Sequence, residues 1–114
     1  MNLQFSIAFM MSEKTEISKV SEFEDNTMRS FEIAGNSIVV IYQGGKFYAM
    51  PDQCTHAKFP LHDGELLEGK IKCQYHGATY DLETGKPTLP AVKKIRLYQT
   101  EVINETVYVI VQEN

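Results

Sequence analysis

Apolar residues in this chain recur mainly at every second position, in short runs that end in turn residues. Residues 28–33 and 37–42 are separated by Ala34-Gly35-Asn36, which predicts a β-hairpin. Residues 37–42 then meet residues 46–50 across Gln43-Gly44-Gly45. Paired glycines supply the positive φ of a tight hairpin turn. Residues 95–103 and 106–111 flank Asn104-Glu105, a third hairpin signal. Val107, Val109 and Val111 alternate with Tyr108 and Ile110, the period of a half-buried strand. No segment sustains a helical period, and residues 21–25 have room for one short turn. The pattern predicts an all-β chain.

The middle, residues 51–90, breaks the pattern. Pro, Gly, His and Asp accumulate there and the apolar residues scatter. Long irregular stretches in compact domains usually carry function. This one divides into two loops joined by a hairpin predicted over residues 65–73, turning at Glu68-Gly69. Thr84-Gly85-Lys86-Pro87 begins a third segment. The hairpin would bring both loops to one tip of the β scaffold.

Those loops hold the only two cysteines and two of the three histidines. They form Cys54-Thr55-His56, sixteen residues, then Cys73-Gln74-Tyr75-His76. Two thiolates and two imidazoles suit a Zn²⁺ site or a [2Fe–2S] cluster with mixed ligands. Zinc sites more usually open with Cys-x₂₋₄-Cys. Here each loop gives one Cys and one His, so two loops can supply both cysteines to one iron and both histidines to the other. A zinc-binding interaction module remains the rival class.

The stretches Cys54-Thr55-His56 and Cys73-Gln74-Tyr75-His76-Gly77-Ala78-Thr79-Tyr80-Asp81 resemble the two cluster-binding loops of Rieske proteins. In size and loop content the chain is similar to soluble Rieske-type ferredoxins, including those of aromatic-ring dioxygenase systems and of archaea. The resemblance implies a Rieske-like antiparallel β-sandwich with a cluster-binding subdomain of two loops at one tip. It implies one [2Fe–2S] cluster bound by Cys54, His56, Cys73 and His76. Neutral imidazoles in place of two thiolates make the cluster less negative and easier to reduce. The histidines then form the expected exit for electrons. Pro90 is the expected counterpart of a proline loop that covers the cluster in the family.

Four further positions are expected to tune the centre. High-potential Rieske proteins brace the loops with a disulfide; the matching residues here are Phe59 and Tyr75, which cannot form it, and an aromatic contact between them is expected to hold the loops instead. Where those proteins carry a serine that donates to a bridging sulfide, this chain has Ala78. Tyr80 is retained, and its hydroxyl is expected to donate to the Cys54 sulfur. The pattern is mostly that of low-potential forms. His62 lies at no ligand spacing and reads as an exposed loop residue. Lys58 and Lys72 read as surface lysines near the ligands.

At 114 residues the chain is read as one domain, residues 13–114, after an extension of residues 1–12. The apolar start, MNLQFSIAFMM, is too short to span a bilayer and is a poor signal peptide. A net charge of −4 offers no basic stripe to neutralise nucleic-acid phosphates. Two cysteines held by a cluster would leave none for a disulfide, which fits the cytoplasm. The implied role is a one-electron carrier, not an enzyme, between a reductase and an oxygenase or other acceptor. A small subunit of an assimilatory nitrite reductase is the rival within the same fold. The chain is expected to be a monomer, with docking of a second copy through the N-terminal extension as the alternative.

Overall fold

A computed structural model describes residues 12–75 and 77–112 of the chain. Nine strands alternate with turns: β1 (Ser12–Lys19), β2 (Thr27–Ile33), β3 (Asn36–Gln43), β4 (Lys46–Pro51), β5 (Glu65–Leu67), β6 (Lys70–Lys72), β7 (Thr79–Asp81), β8 (Gln99–Ile103) and β9 (Thr106–Gln112). Two single-turn 3₁₀ helices, Val20–Glu22 and Leu61–Asp63, complete the regular structure of the described residues. The strands form three antiparallel sheets, ordered β1-β9-β8, β2-β3-β4 and β5-β6-β7.

The hairpins follow the turn chemistry. At β3–β4 the two residues between the strands, Gly44 and Gly45, have φ of 61° and 82°. Ala34-Gly35 and Asn104-Glu105 do the same, with every central φ positive. Turns of this hand match the right-handed twist of the flanking strands.

Strand β3 organises the core. Ile38, Val39, Val40 and Ile41 are all fully buried, because β3 is central in its sheet and covered on both faces. Ile38 and Val40 face one core with Phe23, Ile33, Ala49, Val109 and Val111. Val39 and Ile41 face the other, which includes Met50, Leu61, Ile71, Tyr80 and both cysteines. Each such side chain contributes about 1.5–3 kcal/mol when taken from water. One strand therefore joins the β scaffold to the cysteine-bearing subdomain.

Two elements differ from the pattern-based expectation. β1 carries a single large apolar residue, Ile17, and forms through backbone pairing with β9, with a bulge between Glu16 and Ser18. Residues 95–98, expected to begin a strand, are irregular. β4 already pairs with β3, and it offers residue 98 only one isolated bridge, Ala49–Tyr98. The short turn expected near residues 21–25 lies one residue earlier, at Val20–Glu22. Residues 1–11, most of the N-terminal extension through which a second copy could dock, lie outside the described residues.

Candidate metal centre

Two loops converge beside the β5-β6-β7 sheet. In the first, the Cys54 N–H donates to the Phe59 carbonyl at 3.0 Å. In the second, the Cys73 N–H donates to the Ala78 carbonyl at 2.7 Å. Each loop is thus closed by a bond from its cysteine to the residue five positions on. Both cysteines are buried, at 2% and 0% exposure, with Cα atoms 6.5 Å apart. Strand β6 carries Cys73 inward, and Gly64 lets it do so. A Cβ at Gly64 would collide with the Lys72 carbonyl, one residue before Cys73.

The two cysteines lie close enough to pair with each other. The Cys54 and Cys73 sulfurs are bonded to each other. The physical reason is convergence: the two loops aim both sulfurs at one point. A disulfide and a shared iron are alternative uses of that same pair. His56 follows on the first loop, with both ring nitrogens buried. His76 lies outside the described residues. Among the described residues, no three His, Cys, Asp or Glu side chains gather around one metal position. A binuclear cluster asks only two protein ligands of each iron, and the paired buried sulfurs fit that demand.

The tuning residues fall around this point, with one reassignment. The Phe59 and Tyr75 rings stack across the two loops, centroids 3.7 Å apart and planes at 20°. Ala78 is fully buried and brings no hydroxyl. Tyr80 is fully buried, but its hydroxyl is not directed to sulfur as expected. It accepts the Thr55 N–H at 2.8 Å and lies 2.9 Å from Thr55 Oγ1. Thr55 Oγ1 in turn donates to the Lys93 carbonyl at 2.9 Å, which uses its one proton. The Tyr80 proton must therefore go to Thr55 Oγ1, and none is left for the Cys54 sulfur. Tyr80 holds the residue between two expected ligands and, through it, the segment that follows β7. Thr55 was missed in the sequence because a threonine between Cys and His carries no spacing signal.

Asp52 was missed as well. Its side chain is 1% exposed, and it accepts from Ser30 Oγ at 2.8 Å and from the His62 N–H at 2.8 Å. His62 Nδ1 adds a third contact at 2.5 Å. His62 is exposed as expected, yet it ties the exit of the first loop to β2 and β4 through this carboxylate. The hydrogen bond to Asp52 raises the His62 pKa above its ordinary 6.5; the charges of Asp52 and Asp63 add to this, and burial opposes it. A raised pKa means the fold favours the protonated ring. That stabilisation is complete below about pH 6.5 and is lost as pH rises through the raised value. We expect wild-type stability, read from denaturant midpoints, to decline across that window. His62→Gln should flatten the decline, and an unchanged slope would show that the pair contributes nothing.

Beyond β7 the chain turns on Asp81, whose carboxylate accepts the Glu83 and Thr84 N–H groups at 2.8 and 3.0 Å. These bonds lower its pKa. Lys58 is exposed and Lys72 half-buried.

Comparison with known proteins decides the family. The model of the Rieske [2Fe-2S] domain matches residues 13–104. The chain belongs to the Rieske [2Fe-2S] domain family. The chain spans only about one sixth of the first curated relatives it matches and most of several ferredoxin components. The ferredoxin component of biphenyl 2,3-dioxygenase from Rhodococcus jostii RHA1 is 31% identical over 83% of this chain and 90% of that protein. Apoptosis-inducing factor 3 of Homo sapiens is 29% identical over 82% of this chain, which spans only 16% of that longer protein. Among solved structures, the ferredoxin of carbazole 1,9a-dioxygenase from Nocardioides aromaticivorans IC177 aligns with a TM-score of 0.78 at 26% identity, covering 87% of this chain and 99% of that one. A chain from a complex of reduced oxygenase and oxidised ferredoxin of carbazole 1,9a-dioxygenase aligns at 0.83 and 28% identity, covering 89% and 95%. The antiparallel Rieske fold is therefore established for this chain, and the domain implies an iron–sulfur cluster. Among the described residues, no helix is long and apolar enough to cross a membrane.

Proposed function

We propose that this chain is a one-electron carrier whose [2Fe–2S] cluster is held by Cys54 and Cys73 on one iron and by His56 and His76 on the other. The observation that carries the reading is the convergence of two buried cysteine sulfurs between two hydrogen-bonded loops, each with a histidine two or three residues further on. When bound, the cluster supplies a site that gains and loses one electron. The protein's own residues hold and shield it. Leu61, Ile71 and Tyr80 exclude water beneath the loops. The Phe59–Tyr75 stack and the Tyr80–Thr55 bonds fix the loops relative to each other.

By analogy with its ferredoxin relatives, the chain takes electrons from a reductase and passes them to an oxygenase or comparable acceptor. A domain beginning at residue 13 and running to 114 is supported by the start of the family match at that residue. A cytoplasmic setting fits this reading, because cluster binding would require the Cys54–Cys73 pair in its reduced form, which a reducing compartment maintains.

Anaerobically purified protein should contain about two irons and two acid-labile sulfides per chain and take up one electron. With Ala78 in place of a serine and no disulfide at Phe59 and Tyr75, its potential should fall in the lower part of the range from roughly −150 to +300 mV. Stoichiometric zinc from an iron-replete host would overturn the proposal in favour of the zinc module.

A further inference from the structure

The segment between β7 and β8 has a composition unlike the rest of the chain. From Lys86 to Arg96 it carries Lys86, Lys93, Lys94 and Arg96 and no acidic residue, in a protein of net charge −4. Lys14, Arg29 and Lys46 each meet a carboxylate within 4 Å, at Glu101, Glu22 and Glu83. Among the described residues, none of the four basic groups of the segment does so. The same segment presents Leu89 and Val92 at 76% and 81% exposure, well above the other exposed large apolar residues described.

The segment is not a loose loop. Ala91 and Ile95 are buried in the core that contains both cysteines. The Thr88 N–H donates to the Thr79 carbonyl at 2.9 Å, and the Ile95 N–H to the Gly85 carbonyl at 3.0 Å. A Cβ at Gly85 would collide with the Ile95 carbonyl, so the approach depends on glycine. The Lys93 carbonyl is held by Thr55, between Cys54 and His56. Buried anchors at Ala91 and Ile95 thus fix a segment whose exposed Leu89 and Val92 are followed directly by the exposed Lys93, Lys94 and Arg96, and which Thr55 ties to the first loop.

An exposed apolar centre costs free energy in an isolated soluble protein and commonly marks an interaction site. Unpaired cations around it select the sign of the surface that covers it and speed encounter with that surface. We infer that Leu89 and Val92, with Lys93, Lys94 and Arg96 as rim, form the docking face for a redox partner whose own surface is acidic around an apolar patch. This rests on the electron-carrier reading and adds to it the chemistry of the partner.

Cytochrome b5, a haem protein with an acidic face, is a suitable probe. Reduced protein with its cluster is mixed with oxidised cytochrome b5 in a stopped-flow instrument over a range of salt. Both proteins are net acidic, so docking through any average surface gives a rate that rises with salt. Docking through the basic face gives a rate that falls with salt, the expected result. The variant Lys93→Glu with Lys94→Glu should lose about tenfold or more of the low-salt rate and invert the salt dependence. The pair Leu89→Ser with Val92→Ser should slow transfer and leave the sign of the salt dependence unchanged. In all variants the cluster spectrum and the rate with a small neutral quinone should match wild type. A wild-type rate that rises with salt, or a charge-reversal variant that reacts normally, overturns the docking face. Absence of transfer even to the quinone overturns the carrier reading instead. Binding to anionic phospholipid vesicles that charge reversal abolishes, with the cytochrome rate unaffected, would reassign the face to a lipid surface.

Discussion

Cys73→Ala protein is expected to be colourless, with iron falling from about two per chain to near zero. Cys54→Ala should behave alike. Each removes half of the sulfur pair that the two loops bring together. The loss should be complete rather than half, because bridging sulfides make both irons depend on one another. The fold should survive in part. The core of Phe23, Ile33, Ile38, Val40, Ala49, Val109 and Val111 contains no expected ligand. Amides of β3 and β9 should keep their protection from hydrogen exchange, while residues 65–81 exchange faster. His56→Ala and His76→Ala test the other half of the ligand set by the same iron analysis. Full iron retention in Cys73→Ala would remove that residue from the centre. Uniform loss of protection would show instead that the whole domain folds only around its cluster.

Leu61→Ala is expected to cost about 2–5 kcal/mol, the range for emptying a fully buried leucine site. Leu61 opens the 3₁₀ turn Leu61–Asp63 and is the only buried residue in it. It is 0% exposed and packs in the same core as Cys54, Cys73, Ile71 and Tyr80. A domain of this kind has about 5–15 kcal/mol in hand, so the loss is a large fraction of the total. At roughly 4–8 °C per kcal/mol, the melting temperature should fall by about ten degrees or more. The cavity lies under both loops, so cluster retention should fall too. Leu61→Met, which nearly conserves volume, should cost less than about 1.5 kcal/mol and keep the cluster. Equal behaviour of the two variants would mean that the site collapses and that Leu61 does not support the loops.

Much of the architecture was legible in the sequence, because it rests on local chemistry. Alternation over residues 106–111 and turn residues at Ala34-Gly35, Gly44-Gly45 and Asn104-Glu105 determine the hairpins, since period and positive φ are properties of short segments. The spacing of Cys54, His56, Cys73 and His76 determined the class of centre, because few inorganic groups accept that donor set. What lacked a local signal depended on the tertiary structure. β1 has almost no apolar alternation and exists because β9 offers it an edge to pair with. The sequence pointed the Tyr80 hydroxyl at the Cys54 sulfur; in the fold it meets Thr55, whose own proton goes to the Lys93 carbonyl from a separate segment. The burial of Asp52 and its bond to His62 likewise come from packing of the loop exit against β2 and β4. Four cations without acidic neighbours are visible at residues 86–96 in the sequence. Only the fold decides that two apolar side chains of the same segment are exposed, because Ala91 and Ile95 must first be buried for Leu89 and Val92 to face outward.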